Sequence, residues 1–254
     1  MSTLPVAQLK HVFGLRGGVV GGIAFQDEQT LVYPAGSNIV LYNVEQKVQR
    51  FIAGSEKAQN VTAMAITPNR RYIAIAEKGD KSATITIYDV HTLKRKKVLS
   101  AADLGISEFV SLAFSPDSKY LASQGGKPEW TLMYWMWEKS KVMASVKASN
   151  PQSNAPVTQV AFNPQDNTVV SVVGQGTLKV FRFTEGNLKL LHNPKNEQHN
   201  YLSHAWVSDE RLVAGTEQGI WQLFENGELK FEQNAGATSA TRESIDPYVL
   251  IFFF

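Results

Sequence analysis

Any chemistry along this chain would have to come from a few short stretches. The glycine-rich run GLRGGVVGG, Gly14–Gly22, resembles a phosphate-cradling loop. It lacks a Gly-Lys-Ser/Thr ending and no helical pattern comes after it, so the lysine and the helix N-terminus that hold phosphate are missing. It is read instead as flexible glycines feeding a first strand. The five histidines are His11, His91, His192, His199 and His204. The last three are spaced by seven and five residues, which suits no standard zinc motif. A polar loop, HNPKNEQHN, accounts for two of them. There is no cysteine, so disulfides and thiolate metal sites are excluded. Carboxylates are scattered and no Gly-x-Ser-x-Gly elbow occurs, which leaves neither an acid–base pair nor an activated serine. No enzyme activity, catalytic residue, cofactor or metal is expected.

Binding residues are easier to nominate. Arg70, Arg71 and Lys119 each come after a proline turn of similar sequence and are expected on one face of the molecule. Trp130 sits in a turn after Pro128 and is the best candidate for an exposed aromatic, although packing is the preferred use of its ring. These four are the candidate protein-contacting residues. The basic run Lys94–Lys97 (KRKK) could meet an acidic partner or nucleic acid, but charge on an outer strand also discourages edge-to-edge pairing, and that reading is preferred. Strand alternation puts Trp135 and Trp137 on one face and Tyr134 on the other, as rings packed between neighbouring sheets.

A repeat positions these residues. ITPNRRYIAIAE begins at Ile66, FSPDSKYLASQG at Phe114 and FNPQDNTVVSVV at Phe162, at intervals of 48 and 48 residues. Proline presets one turn dihedral, and Asp or Asn tolerates the awkward backbone next to it. The flanking segments VTAMAI, FVSLAF and VTQVAF have the apolar content and alternation of strands. A second strand recurs at Ile39, Ile85, Leu132, Leu178 and Ile220, spaced by 46, 47, 46 and 42 residues. Four of its five copies close on an aromatic followed by an acid or amide: Tyr42-Asn43, Tyr88-Asp89, Trp137-Glu138 and Phe224-Glu225. This is a degenerate Trp-Asp ending, at close to the 40–45-residue period of WD40 repeats. The first and fifth units lack the proline turn but keep the strand–turn–strand layout. Lys47–Ala53, KRKKVLS and KVMASVK are expected to supply the outermost strand of the following unit.

The fold expected is therefore all-β, a WD40-type β-propeller of about five repeats that leaves an incomplete or open ring. Residues 9–232 form the repeat region and 233–254 an irregular C-terminal tail. The tail ends in YVLIFFF, Tyr248–Phe254, too short to span a membrane and expected to pack poorly. An open last flank invites self-association. The net charge of +2 gives no reason to expect nucleic acid or a membrane as partner. No secretory leader pattern begins the chain and no run nears 18 apolar residues, so a soluble cytoplasmic protein is expected.

HVFGLR, FIAGSEKAQ, PNRRYIAIAE, AFSPDSKYLASQ, YWMWEKSKVMA, NPQDNT and NYLSHAWV together carry a more specific signal. From about His11 to Glu225 the chain resembles the N-terminal propeller of the cilia- and flagella-associated protein 57 family, WD-repeat proteins of the axoneme. The resemblance implies a non-enzymatic scaffold of motile cilia and flagella. It also implies partners among inner dynein arm and regulatory complex components, and a place in the cytoskeleton of the axoneme. This chain is shorter than the family pattern, with no coiled coil after the repeats. The other class weighed is an RNA- or ribosome-associated propeller acting in translation, in which KRKK and Arg70-Arg71 would contact phosphates. Binding that weakens steeply with salt would mark that class.

Overall fold

The computed structural model describes residues 9–54, 58–79, 82–150, 153–194 and 199–235. Tyr248–Phe254 and the rest of the expected tail past Ala235 lie outside them. The chain folds into five sheets of four antiparallel strands each. The first holds β1 (Ala24–Phe25), β2 (Thr30–Ala35), β3 (Asn38–Asn43) and β4 (Val48–Ile52). The second holds β5 (Ala58–Ile66), β6 (Tyr72–Gly79), β7 (Thr84–Asp89) and β8 (Arg95–Ser100). The third holds β9 (Phe109–Phe114), β10 (Tyr120–Gly125), β11 (Thr131–Met136) and β12 (Lys141–Lys147). The fourth holds β13 (Val157–Phe162), β14 (Val169–Gly174), β15 (Thr177–Thr184) and β16 (Asn187–His192). The fifth holds β17 (Tyr201–Trp206), β18 (Arg211–Thr216), β19 (Ile220–Glu225) and β20 (Glu228–Asn234). Two single-turn 3-10 helices, Ala102–Leu104 and Trp137–Lys139, lie between strands.

Each sheet is a meander in chain order, which corrects one expectation. The outermost strand closes the sheet it comes after, not the next one: KRKK enters β8, which pairs with β7. The reason is the turn between third and fourth strands. At Asp89 the carboxylate accepts bonds from the His91 and Thr92 amides and the Thr92 hydroxyl, folding the chain straight back. Asn43 does the same for the Gln46 amide. These are the acid and amide of the aromatic–acid endings, and their work is to tighten a hairpin. Such a turn is too short to carry the chain across to a neighbouring sheet.

The two faces of a sheet meet different neighbours. Trp135 and Trp137 join Ile85, Ile87 and Leu99 between the second and third sheets. Tyr134 joins Val160, Phe162 and Phe181 between the third and fourth. The alternation read from the sequence is therefore the alternation of seams. In β14 every residue is buried, since sheets cover both of its faces. Along β8 only Leu99 is buried, and the basic run lies exposed on the rim. The glycine run does more than feed a strand: Val20 pairs in parallel with Ala63 of β5, and its carbonyl accepts the Met64 amide at 3.1 Å. Gly21 allows this approach, because a Cβ there would lie 2.3 Å from the Met64 carbonyl oxygen. Only Ala24–Phe25 is left for the first inner strand.

The seams run in sequence from first sheet to fifth. Among the described residues no strand pairing or backbone hydrogen bond joins the fifth sheet to the first. The far side of the fifth sheet carries an apolar cross-strand row of Val213, Leu223 and Phe231, with Trp221 against the Phe231 ring, next to the Arg211–Glu225 ion pair.

Candidate docking face

The proline turns share a construction that the side chains dictate. In the second sheet the Thr67 hydroxyl accepts the Tyr72 amide at 2.9 Å, and Asn69 Oδ1 accepts the Arg71 amide at 3.1 Å. In the third, Ser115 accepts the Tyr120 amide at 2.9 Å and Asp117 Oδ1 the Lys119 amide at 3.1 Å. Both turns then need one left-handed residue, and it is Arg70 (φ 56°) in one and Ser118 (φ 63°) in the other. The turn of the fourth sheet differs. Ile66 pairs with Ile73 and Phe114 with Leu121, but Phe162 pairs with Val170, one residue further on. There Asn163 and Asp166 share the capping of the Gln165, Asp166 and Thr168 amides.

Because strands alternate in direction, the turns after first and third strands emerge on one face of the arc. Those after second strands emerge on the other. Arg70, Arg71 and Lys119 stand together on the first face, as expected. Trp130, between β10 and β11, stands on the opposite face. It is half-buried, at φ 49°, and its indole nitrogen donates to the Asn154 carbonyl at 3.2 Å. The four candidates therefore do not form one site.

Neighbouring turns on the first face are joined across every seam. Arg70 Nη1 donates to the Phe25 carbonyl at 2.7 Å, crossing from the second sheet to the first. The Asn69 amide reaches Ser118 Oγ at 3.5 Å, the loosest of the set. The Asp117 amide donates to Asn167 Oδ1 at 3.3 Å, and Asn163 Nδ2 to the Asp209 carbonyl at 2.7 Å. These side-chain links make the face one connected platform.

Its charges are mostly spoken for. Arg71 lies over the Tyr72 ring and 3.8 Å from Asp89, with 60% of its side chain exposed. Lys119 lies 3.6 Å from Asp117 and is 73% exposed. Burial alone would raise the Asp117 carboxyl, but the Ser115 hydroxyl, the Lys119 amide and its ammonium hold it below the usual range. Asp166 is lowered in the same way by Thr168 and by Arg182 at 3.0 Å.

One arrangement does look catalytic. Ser171 Oγ lies 2.7 Å from His204 Nε2, and His204 Nδ1 lies 3.1 Å from Gln159 Oε1. Both Ser171 and His204 are buried, and the serine oxygen already accepts the Trp206 indole N–H at 2.8 Å. Burial pushes the His204 imidazole down to about 3, so it is neutral, with Nδ1 donating to Gln159 and Nε2 accepting from Ser171. With no route to a substrate, this network fastens the fourth sheet to the fifth. Its parts lie 33 and 45 residues apart, and no spacing rule in the sequence brings them together. Among the described residues no three His, Asp or Glu side chains converge as metal ligands.

No protein-family profile matches the sequence. Cilia- and flagella-associated protein 57 of Mus musculus is 46% identical over 243 residues, covering 95% of this chain and 19% of the mouse protein. Cilia- and flagella-associated protein 57 C of Tetrahymena thermophila is 30% identical over 70% of the chain and 14% of its own length. Mouse cilia- and flagella-associated protein 44 is 28% identical over 95% of the chain. The β-propeller domain of Cps50 (Swd1) from Myceliophteria thermophila superposes with a TM-score of 0.56 at 18% identity. That superposition covers 68% of this chain and 55% of the other, a likeness of fold alone. The chain spans about a fifth or less of the length of the curated relatives named here. It is a WD-repeat propeller chain and a homologue of cilia- and flagella-associated protein 57.

Proposed function

We propose that the chain acts as a non-enzymatic scaffold of motile cilia and flagella, bound to the axonemal cytoskeleton. In this reading it helps to assemble or anchor inner dynein arms and their regulatory complexes through protein–protein contacts. The observation that carries it is the platform of turns, linked across all four seams and holding Arg71 and Lys119 out on one face. Rigid frames that present many loops suit docking of several partners. Likeness to cilia- and flagella-associated proteins gives the setting, and the apolar row on the far side of the fifth sheet, with Phe231 exposed, adds self-association to the contacts available. The translation reading draws less support, because Arg70 is tied to a backbone carbonyl and Arg71 and Lys119 each face a carboxylate.

The test is fractionation of the tagged chain expressed in ciliated cells. After detergent extraction it should stay with the axonemes and resist ribonuclease. Recovery with polysomes, released by ribonuclease, would overturn the scaffold reading in favour of the translational one.

A further inference from the structure

The seams between sheets are not filled alike. Between the second and third sheets, Tyr72 at the start of β6 meets Trp137, ring centres 5.1 Å apart. Between the third and fourth, Tyr120 at the start of β10 and Tyr134 lie together, and Tyr134 stacks on Phe183 at 4.6 Å. Register identifies the matching positions of the next seam. Tyr120 pairs with Met136 as Val169 pairs with Arg182, and Leu121 with Trp135 as Val170 with Phe181. The fourth sheet therefore offers Val169 and Val180 where the third offers Tyr120 and Tyr134.

The facing ring is missing too. The Phe183 amide donates to the Thr168 carbonyl at 2.7 Å, and the matching bond in the fifth sheet runs from Asn226 to Glu210 at 2.9 Å. Asn226 thus stands where Phe183 stands one sheet earlier. It brings no ring because the hairpin has already turned: Asn226 and Gly227 are both left-handed (φ 50° and 79°), the pattern of a two-residue type I′ turn. In the fourth sheet the same reversal comes two residues after Phe183, at Glu185 and Gly186.

The result is a groove of about 520 Å³ between the fourth and fifth sheets, opening on the platform face. Val169, Val180, Leu212 and Phe224 give it apolar walls, and Asp209 and Glu210 stand on its lip. Arg182, which also lines the groove with His192, is engaged with Asp166, and Arg211 pairs with Glu225 while lying in the field of Glu210, so neither lip carboxylate has a direct salt bridge among the described residues. From His199 to Ala235 the chain carries six carboxylates against only Arg211 and Lys230.

We propose that this groove is a docking pocket for an aromatic side chain, flanked by Lys or Arg, on an exposed segment of a partner protein. The inserted ring takes the place of those absent from the seam, and the flanking cations meet Asp209 and Glu210. An aromatic ring can bury about 150–250 Å² in such a site, and a groove of this size lies within the range of small-ligand pockets. The inference rests on the scaffold reading and names the partner chemistry at one point of the platform.

The experiment is calorimetric titration of the full 254-residue chain with three peptides. They are acetyl-Lys-Lys-Trp-Lys-amide, its Glu-Glu-Trp-Glu counterpart and its Lys-Lys-Ala-Lys counterpart. The first should saturate, the second should bind at least about tenfold more weakly, and the third should not saturate. Val169→Tyr, which restores the ring the third sheet has at this position, should abolish binding without lowering Tm. Asp209→Asn with Glu210→Gln lies on an exposed turn and should weaken the first peptide about tenfold at unchanged Tm. Equal binding of all three peptides, or unchanged binding by the lip variant, would overturn the proposal. If the chain stays with axonemes while none of the peptides binds, the pocket assignment fails and the scaffold reading stands. Binding of the first peptide alone without retention on axonemes supports the pocket and removes the scaffold.

Discussion

Lowering the pH from 7.5 to 5.0 should weaken the junction of the fourth and fifth sheets through one side chain, His204. In the folded chain its ring is buried, hydrogen-bonded at both nitrogens and pushed down to about 3, with desolvation as the cause. Unfolded, it titrates near 6.5. The folded value is the lower one, so across this window the unfolded state takes up a proton that the folded state refuses. Stability is then full above about pH 7 and falls as pH drops through 6.5, at up to about 1.4 kcal/mol per unit. Down to pH 5.0 the loss is about 2 kcal/mol, and it hardly depends on the folded value, because pH 5 is still well above it. The lowered carboxylates Asp27, Asp89, Asp117 and Asp166 act in the same sense only at lower pH, around and below their ordinary value of 3.8. His192, lowered by burial and then by Arg182, adds to the loss but is common to a His204 variant. The assay is urea unfolding followed by tryptophan fluorescence at pH 7.5, 6.5, 5.5 and 5.0, for the native chain and His204→Gln. The difference in stability between the two should shrink by about 2 kcal/mol from the first pH to the last. A difference that stays constant within about 0.5 kcal/mol would refute the account of a buried, neutral imidazole.

Trp135→Ala removes a ring buried between the second and third sheets and leaves Ser123 without its indole donor. It should cost about 3–5 kcal/mol in denaturant unfolding. Tyr134→Phe keeps the stack on Phe183 but loses the 2.8 Å bond from its hydroxyl to the Asn167 carbonyl, and should cost about 1 kcal/mol in the same assay. Arg70→Ala takes away the link to Phe25. It should lower stability by about 1 kcal/mol and raise amide exchange in the first sheet more than in the fourth.

The proline turns and the aromatic–acid endings were legible because each is local: a turn and its capping side chains lie within a few residues. They are enough to give the order of the three inner strands of each sheet, the common face of Arg70, Arg71 and Lys119, and the opposed facing of Trp135 and Tyr134. The owner of each fourth strand was not legible, since KRKK looks the same on either neighbour until the Asp89 turn folds it back. The extra residue in the Asn163 turn hid behind equal 48-residue intervals, because it falls after Phe162 and displaces only the residues C-terminal to it. Trp130 could be read either as an exposed aromatic or as a packed ring, and packing, the preferred reading, is what the ring does. Its turn has the composition of an exposed loop, yet the ring is held by Asn154 from the connection to the next sheet. The Ser171–His204 contact and the unfilled fourth seam depend on register between distant strands. The sequence does hold a trace of that seam, in the Asn226-Gly227 turn and the last spacing of 42 residues instead of 46 or 47.

The central claim is that partners dock on the face formed by the turns after first and third strands. It is tested most directly by charge reversal on each face, read as binding of the purified chain to detergent-extracted axonemes. Arg71→Glu with Lys119→Glu alters two exposed side chains on that face, and Lys127→Glu with Glu129→Lys alters two on the opposite one. The account predicts that the first pair loses most of its binding at unchanged Tm while the second binds like the native chain. Full binding by the first pair, with loss in the second, would contradict it.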